Sequence, residues 1–128
     1  MSLPMLPTRD GYGHGLVELG EKNPNVVVLD ADLAKSTRSD WFQAKFPDRF
    51  FDIGIAEQDM IGTAAGLALG GKIPFATTYS VFVAGRAWDQ IRTTVCYSEL
   101  NVNIAGAHGG ISAGGDWATH QALEDLAL

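Results

Sequence analysis

The chain has 128 residues and a net charge of −6, and its 46% hydrophobic and 19% charged content is that of a single globular domain rather than a disordered chain. The acidic balance excludes a non-specific nucleic-acid binder, which needs a basic surface. A single cysteine, Cys96, excludes an internal disulfide and points to a reducing compartment. No apolar run reaches the length of a membrane span, and Met1-Ser2-Leu3 does not open a signal peptide, so the expectation is a cytoplasmic protein with no membrane or nucleic-acid partner.

Residues 1–7, with Pro4 and Pro7, read as an extended arm or an expression scar, and residues 8–128 as one domain. Residues 9–21 have helical spacing, weakened by Gly11, Gly13 and Gly15, each costing up to about 1 kcal/mol relative to alanine. These glycines are not a dinucleotide fingerprint, because no strand precedes them and the spacing fails. Residues 25–30 are β-branched and continuously apolar, as a strand buried on both faces should be. A polar loop over 30–39 follows, then a short helix over 39–46 with Ser39 as its cap and Trp41, Phe42 and Phe46 on its apolar side. Pro47-Asp48-Arg49 is a turn.

The stretch from Phe51 to Gly70 organises the chain: a short apolar strand runs into a helix rich in small residues, with Glu57 at the join. The helix dipole favours a carboxylate there, and open α/β sheets place ligands at the carboxyl ends of their strands. A capping acid would sit in the same place. Residues 73–78 form another strand, and 83–98 a helix with Val83, Ala87, Ile91 and Val95 on one face. A fourth strand spans 101–106, a glycine-rich loop spans 107–118, and a last helix starts near Thr119 and runs to Leu128. Alternation of strands and helices predicts an α/β fold with a mainly parallel sheet and helices on both faces. The apolar helical pattern at the end carries no stop signal, so the domain reads as truncated at its carboxyl end.

A parallel sheet brings Asp32, Ser36, Glu57, Tyr79, Phe82, Arg86, His108, Asp116 and His120 to one edge. Each also has a structural reading. His108 suits a solvated loop, His120 a helix start, Asp116 a helix cap, and Tyr79 and Phe82 a core, while Arg86 could pair with Asp89 or Asp59. Zinc spacing, a P-loop and a nucleophile elbow are all missing.

Four segments carry a resemblance: Asp30-Ala31-Asp32-Leu33-Ala34-Lys35-Ser36, Gly54-Ile55-Ala56-Glu57-Gln58, Thr78-Tyr79-Ser80-Val81-Phe82, and Asp116 through Asp125. In this order and spacing the chain resembles the pyrimidine-binding domain of transketolase, over about Thr8 to Leu128. The opening Thr8-Arg9-Asp10-Gly11-Tyr12-Gly13 resembles the separate carboxyl-terminal subunit of split transketolases.

The resemblance implies ketol transfer between a ketose phosphate and an aldose phosphate, as in the pentose phosphate pathway, with thiamine diphosphate as cofactor. It gives Glu57 a bond to the cofactor's pyrimidine nitrogen, which asks for a carboxyl shielded from water and able to share a proton. Tyr79, Phe82 and Arg86 would line the pyrimidine pocket, with Asp32 near the thiazolium. His108, Asp116 and His120 would contact sugar hydroxyls, the two histidines also serving catalysis, and Arg9 and Ser36 would hold the sugar phosphate.

The resemblance also implies that a different domain, with a Gly-Asp-Gly motif not found here, holds magnesium or calcium and the diphosphate. The expected partner is therefore a diphosphate-binding amino-terminal subunit, in a homo-oligomeric assembly, with this chain inactive alone. Two departures bear on the substrate loop: Gly115 stands where relatives carry glutamate, and Trp117 where they carry glycine. The alternatives are a deoxyxylulose-phosphate synthase-like enzyme, which Arg86 resembles, and a non-catalytic assembly module of the same fold.

Overall fold

The computed structural model describes residues 5–128. Its strands are β1 (Val26–Asp30), β2 (Phe50–Asp52), β3 (Ile73–Tyr79) and β4 (Asn103–Ala107). They form one sheet in the order β2-β1-β3-β4, and every neighbouring pair is parallel. The chain winds outward from β1 to β2, then returns past β1 to β3 and winds the other way. That reversal lies between β1 and β3, whose carboxyl ends therefore flank a crevice. β1 is buried along its whole length, which is why its sequence is continuously apolar up to Asp30.

Helices cover both faces, as expected. On one face lie α1 (Thr8–Lys22), α2 (Ala34–Thr37) and α3 (Asp40–Lys45), whose Leu16 and Phe42 pack with Val26, Val28 and Phe50. On the other lie α4 (Glu57–Leu69), α5 (Ser80–Arg86) and α6 (Trp88–Gln90), the last running into a π-helical turn at Ile91–Cys96. Met60, Ile61, Ala64 and Val83 pack there with Leu29 and Ala76. No helix among the described residues is long and apolar enough to cross a membrane.

Four local expectations are corrected. The helix predicted over 83–98 is not continuous: the backbone breaks at Ala87 (φ −104°, ψ 12°) and widens beyond it, with Tyr97 N–H donating to the Arg92 carbonyl. The predicted face survives, because Val83, Ala87 and Val95 are all buried. Ser39 does not cap α3; its hydroxyl turns inward and donates to Asp30 Oδ2 at 2.8 Å.

The helix predicted from Thr119 to Leu128 is absent, replaced by one 3₁₀ turn at Trp117–Thr119 and irregular chain beyond. Ala122 N–H is tied to the Gly110 carbonyl at 2.9 Å, and Leu123 and Leu126 are 76% and 99% exposed. A helix there would bury no apolar face, and helices that short are not stable without one. β2 also ends early: Gly54 takes a positive φ of 76° and donates its N–H to Asp52 Oδ1, turning the chain toward α4. Of the arm predicted over residues 1–7, the first four lie outside the described residues, and Pro7 is extended (φ −61°, ψ 137°).

Candidate functional site

Glu57 is the first residue of α4 and is 2% exposed. Burial of Met60, Ile61, Ala64 and Ala65 presses the first turns of α4 against the sheet, and Glu57 goes in with them. Arg86 Nη1 donates to both Glu57 carboxylate oxygens, at 3.1 Å each. The sequence offered Asp89 or Asp59 as the partner of Arg86, and the structure corrects both. Arg86 ends α5 and lays its guanidinium over the ring of Phe82, one turn back, 4.2 Å from the centroid. From there it reaches the start of α4. Its side chain is 48% exposed, so water weakens the pair well below the strength of a fully buried one.

The aromatic residues continue this group along the sheet edge. Tyr79 ends β3 and pairs in register with Ala107 of β4, so the next residue, His108, lies beside it with ring centroids 4.2 Å apart. Tyr79 and Phe82 are nearly parallel (9°) at 6.0 Å. His120 sets its edge against both, at 5.9 and 5.0 Å, on the chain that Ala122 ties back to Gly110. Glu57, Arg86, Phe82, His120, Tyr79 and His108 are thus one run of contacts.

His108 has a left-handed backbone (φ 54°), and its Nδ1 is buried without a hydrogen-bond partner. Burial, and then the nearby Arg9 charge, push the imidazole below its ordinary pKa and so favour its neutral form. A neutral ring with a free nitrogen serves as donor or acceptor to a hydroxyl-bearing ligand.

Beyond His108 the edge opens into a cavity of about 560 Å³ lined by Arg9, Tyr12, Thr37, Thr77, His108 and Ser112, among others. Arg9 Nη1 donates to the Ser36 carbonyl at 3.3 Å, which brings together the two residues predicted to hold a phosphate. Tyr12, Thr37, Thr77 and Ser112 were not predicted. The Tyr12 hydroxyl lies 2.6 Å from Thr77 Oγ1, and burial pushes the phenol up to about 12. Its position four residues before Leu16, on the buried face of α1, was the signal available in the sequence.

Asp30 accepts from Leu33 N–H (2.6 Å), Ser39 Oγ (2.8 Å) and Thr37 Oγ1 (3.1 Å), which fixes the loop carrying Asp32 and Ser36. Asp32 and Asp116 are exposed. Among the described residues, neither side chain bonds to the rest of the group, and Asp116 caps nothing. No cluster of three or more metal-ligating side chains occurs among the described residues.

A sequence model of the family described as "Transketolase, pyrimidine binding domain" matches residues 5–128. The chain belongs to that family. The putative transketolase C-terminal section of Methanocaldococcus jannaschii is 56% identical over 120 residues, a match spanning 94% of this chain and 38% of that protein. The 6-deoxy-6-sulfo-D-fructose transketolase subunit of a Clostridium species is 41% identical over 120 residues, spanning 94% of this chain and 37% of its own. A solved structure described as "Split gene transketolase, inactive beta4 tetramer" superposes with a TM-score of 0.81 at 56% identity, covering 97% of this chain and 39% of that one. This pyrimidine-binding domain therefore spans about two fifths of the length of these relatives. Its α/β fold is that of thiamine-diphosphate enzymes.

Proposed function

We propose that this chain is the pyrimidine-binding half of a two-subunit transketolase. With a diphosphate-binding amino-terminal subunit it transfers a two-carbon ketol unit between a ketose phosphate and an aldose phosphate, using thiamine diphosphate. The observation that carries this reading is the burial of Glu57 at the start of α4 with Arg86 as its one side-chain partner among the described residues. Desolvating a carboxylate costs several kcal/mol, and a module that serves only assembly gains nothing from it. Support also comes from 56% identity to a protein named as a transketolase C-terminal section.

The residues present fit the pyrimidine end of the cofactor: a water-shielded carboxylate for a ring nitrogen is linked through Arg86 to the flat face of Phe82, which stacks with Tyr79. Thiamine diphosphate, when bound, supplies the carbanion-stabilising chemistry. Glu57 would hold and share a proton at the ring nitrogen, Tyr79 and Phe82 would orient the ring, and Asp32 would serve the thiazolium end. His108, His120 and Asp116 bind sugar hydroxyls, and Arg9 with Ser36 holds the terminal anion. Magnesium or calcium belongs to the partner subunit. The relative described as an inactive beta4 tetramer supports the expectation that this chain, assembled only with itself, is inactive.

The test is a ketol-transfer assay with xylulose 5-phosphate and ribose 5-phosphate. The full-length form of the chain is mixed with its diphosphate-binding subunit, thiamine diphosphate and magnesium. Activity in the mixture and in neither component alone is the expected result. A folded complex that binds cofactor but transfers no ketol group would reject it and turn attention to deoxyxylulose-phosphate synthase substrates.

A further inference from the structure

The contact between Arg86 and Glu57 competes with the role proposed for Glu57. One guanidinium nitrogen donates to both carboxylate oxygens at 3.1 Å, so it fills the space in front of the carboxylate that a bonding ring nitrogen would need. The same guanidinium covers a face of Phe82 at 4.2 Å, the kind of surface a flat heterocycle would stack on. Glu57 and Arg86 also line one cavity, with Ile55, Ala56, Gln58 and Asp59. The two partners differ in mobility. Glu57 is 2% exposed and fixed in the first turn of α4, whereas the Arg86 side chain is 48% exposed and reaches in from solvent on a flexible stem.

We infer that Arg86 is a displaceable seat-holder: it occupies the pyrimidine position between Phe82 and Glu57 in the free protein and swings away when the ring binds. This rests on the reading of Glu57 proposed above. It follows that Arg86 lowers affinity for the cofactor while raising selectivity. A ring with a donor nitrogen replaces the bonds that Glu57 loses. A ring without one would leave a buried carboxylate unpaired, and such a ligand is rejected.

The experiment is calorimetric titration of thiamine diphosphate into the full-length chain assembled with its diphosphate-binding subunit. Arg86→Met removes the charge and keeps an apolar stem, and Arg86→Ala also bares the Phe82 ring. Both are expected to bind the cofactor roughly two- to fivefold more tightly than wild type, the scale of releasing a half-exposed ion pair. In a Glu57→Gln background the same substitutions should bring no comparable gain, because the pair is already gone.

Equal or weaker binding in both arginine variants would overturn the inference, as would an undiminished gain in the Glu57→Gln background. Absence of cofactor binding by the wild-type complex would instead overturn the reading of Glu57, and the inference with it.

Discussion

Helices α1 and α4 lie on opposite faces of one sheet, and both carry glycines where alanine would favour the helix, yet the glycines do different work. In α1, a Cβ at Gly20 would lie 2.6 Å from ring carbons of Phe42 and Phe46, and one at Gly13 would lie 2.7 Å from Arg38 Cβ and Trp41 Cε3. These two positions let the aromatic side chains of α3 and its flank close onto α1. In α4, Gly62 and Gly66 are exposed, and a Cβ at either would meet nothing within 4 Å.

The buried acids repeat the contrast. Asp30, on the α1 face, takes three hydrogen bonds from its own loop, whereas Glu57, on the α4 face, has only a half-exposed arginine as side-chain partner among the described residues. One face is completed within the chain. The other keeps small surface residues, exposed Ile55 and Leu69, and a carboxylate held by a half-exposed arginine.

Substitutions at the two sets of glycines sharpen the contrast most. Gly20→Ala should destabilise the protein by about 2 kcal/mol, since overpacking a closed core costs roughly 1–3 kcal/mol. Gly66→Ala should have the opposite sign, stabilising by up to about 1 kcal/mol through helix propensity. Urea unfolding measures both, and equal effects would erase the distinction between the faces. If α4 faces another chain in the proposed assembly, Gly66→Ala should weaken that assembly while stabilising the subunit.

A similar gain is expected at Trp117, which takes a left-handed φ of 49° where the resemblance anticipates glycine. A bulky side chain there costs about 1–2 kcal/mol, so Trp117→Gly should raise stability by about 1 kcal/mol in the same assay. A loss would mean that the exposed indole makes a contact worth more than the strain.

The smallest effect concerns pH. Burial, opposed by the bonds from Leu33, Ser39 and Thr37, holds the Asp30 carboxyl above its ordinary pKa. The folded state therefore binds this proton more tightly than the unfolded chain. The stabilisation is complete below the ordinary carboxylate value and is lost as pH rises through the folded one. The stability of wild type relative to Asp30→Asn should accordingly fall as pH rises above about 4, the ordinary carboxylate value. A difference that rises with pH would contradict the assignment.

The sheet was legible because its signals are local. The run from Val26 to Asp30 could only be a strand covered on both sides, and strands alternating with helices implied the parallel order. The grouping of Glu57, Tyr79, Phe82, Arg86, His108 and His120 was legible for the same reason, since they lie at or beyond the carboxyl ends of parallel strands that share an edge. What escaped the sequence depends on distant partners. Arg86 finds Glu57 across 29 positions, and Ser39 turns to Asp30 because a buried carboxylate needs donors more than α3 needs a cap. Gly13 read as helix weakness until Arg38 and Trp41 were placed against it, whereas a Cβ at Gly11 or Gly15 would meet nothing within 4 Å. The last predicted helix failed because its leucines have nothing to pack on among the described residues.

The central claim is that Glu57 is a buried acid kept for proton chemistry rather than for structure. Its most direct test is turnover of Glu57→Gln in the reconstituted full-length pair, with circular dichroism and cofactor titration alongside. The account predicts an intact fold and a fall in turnover of roughly a hundredfold or more, the scale of losing a positioned acid–base group. Near-normal turnover in a folded, cofactor-bound variant would contradict it.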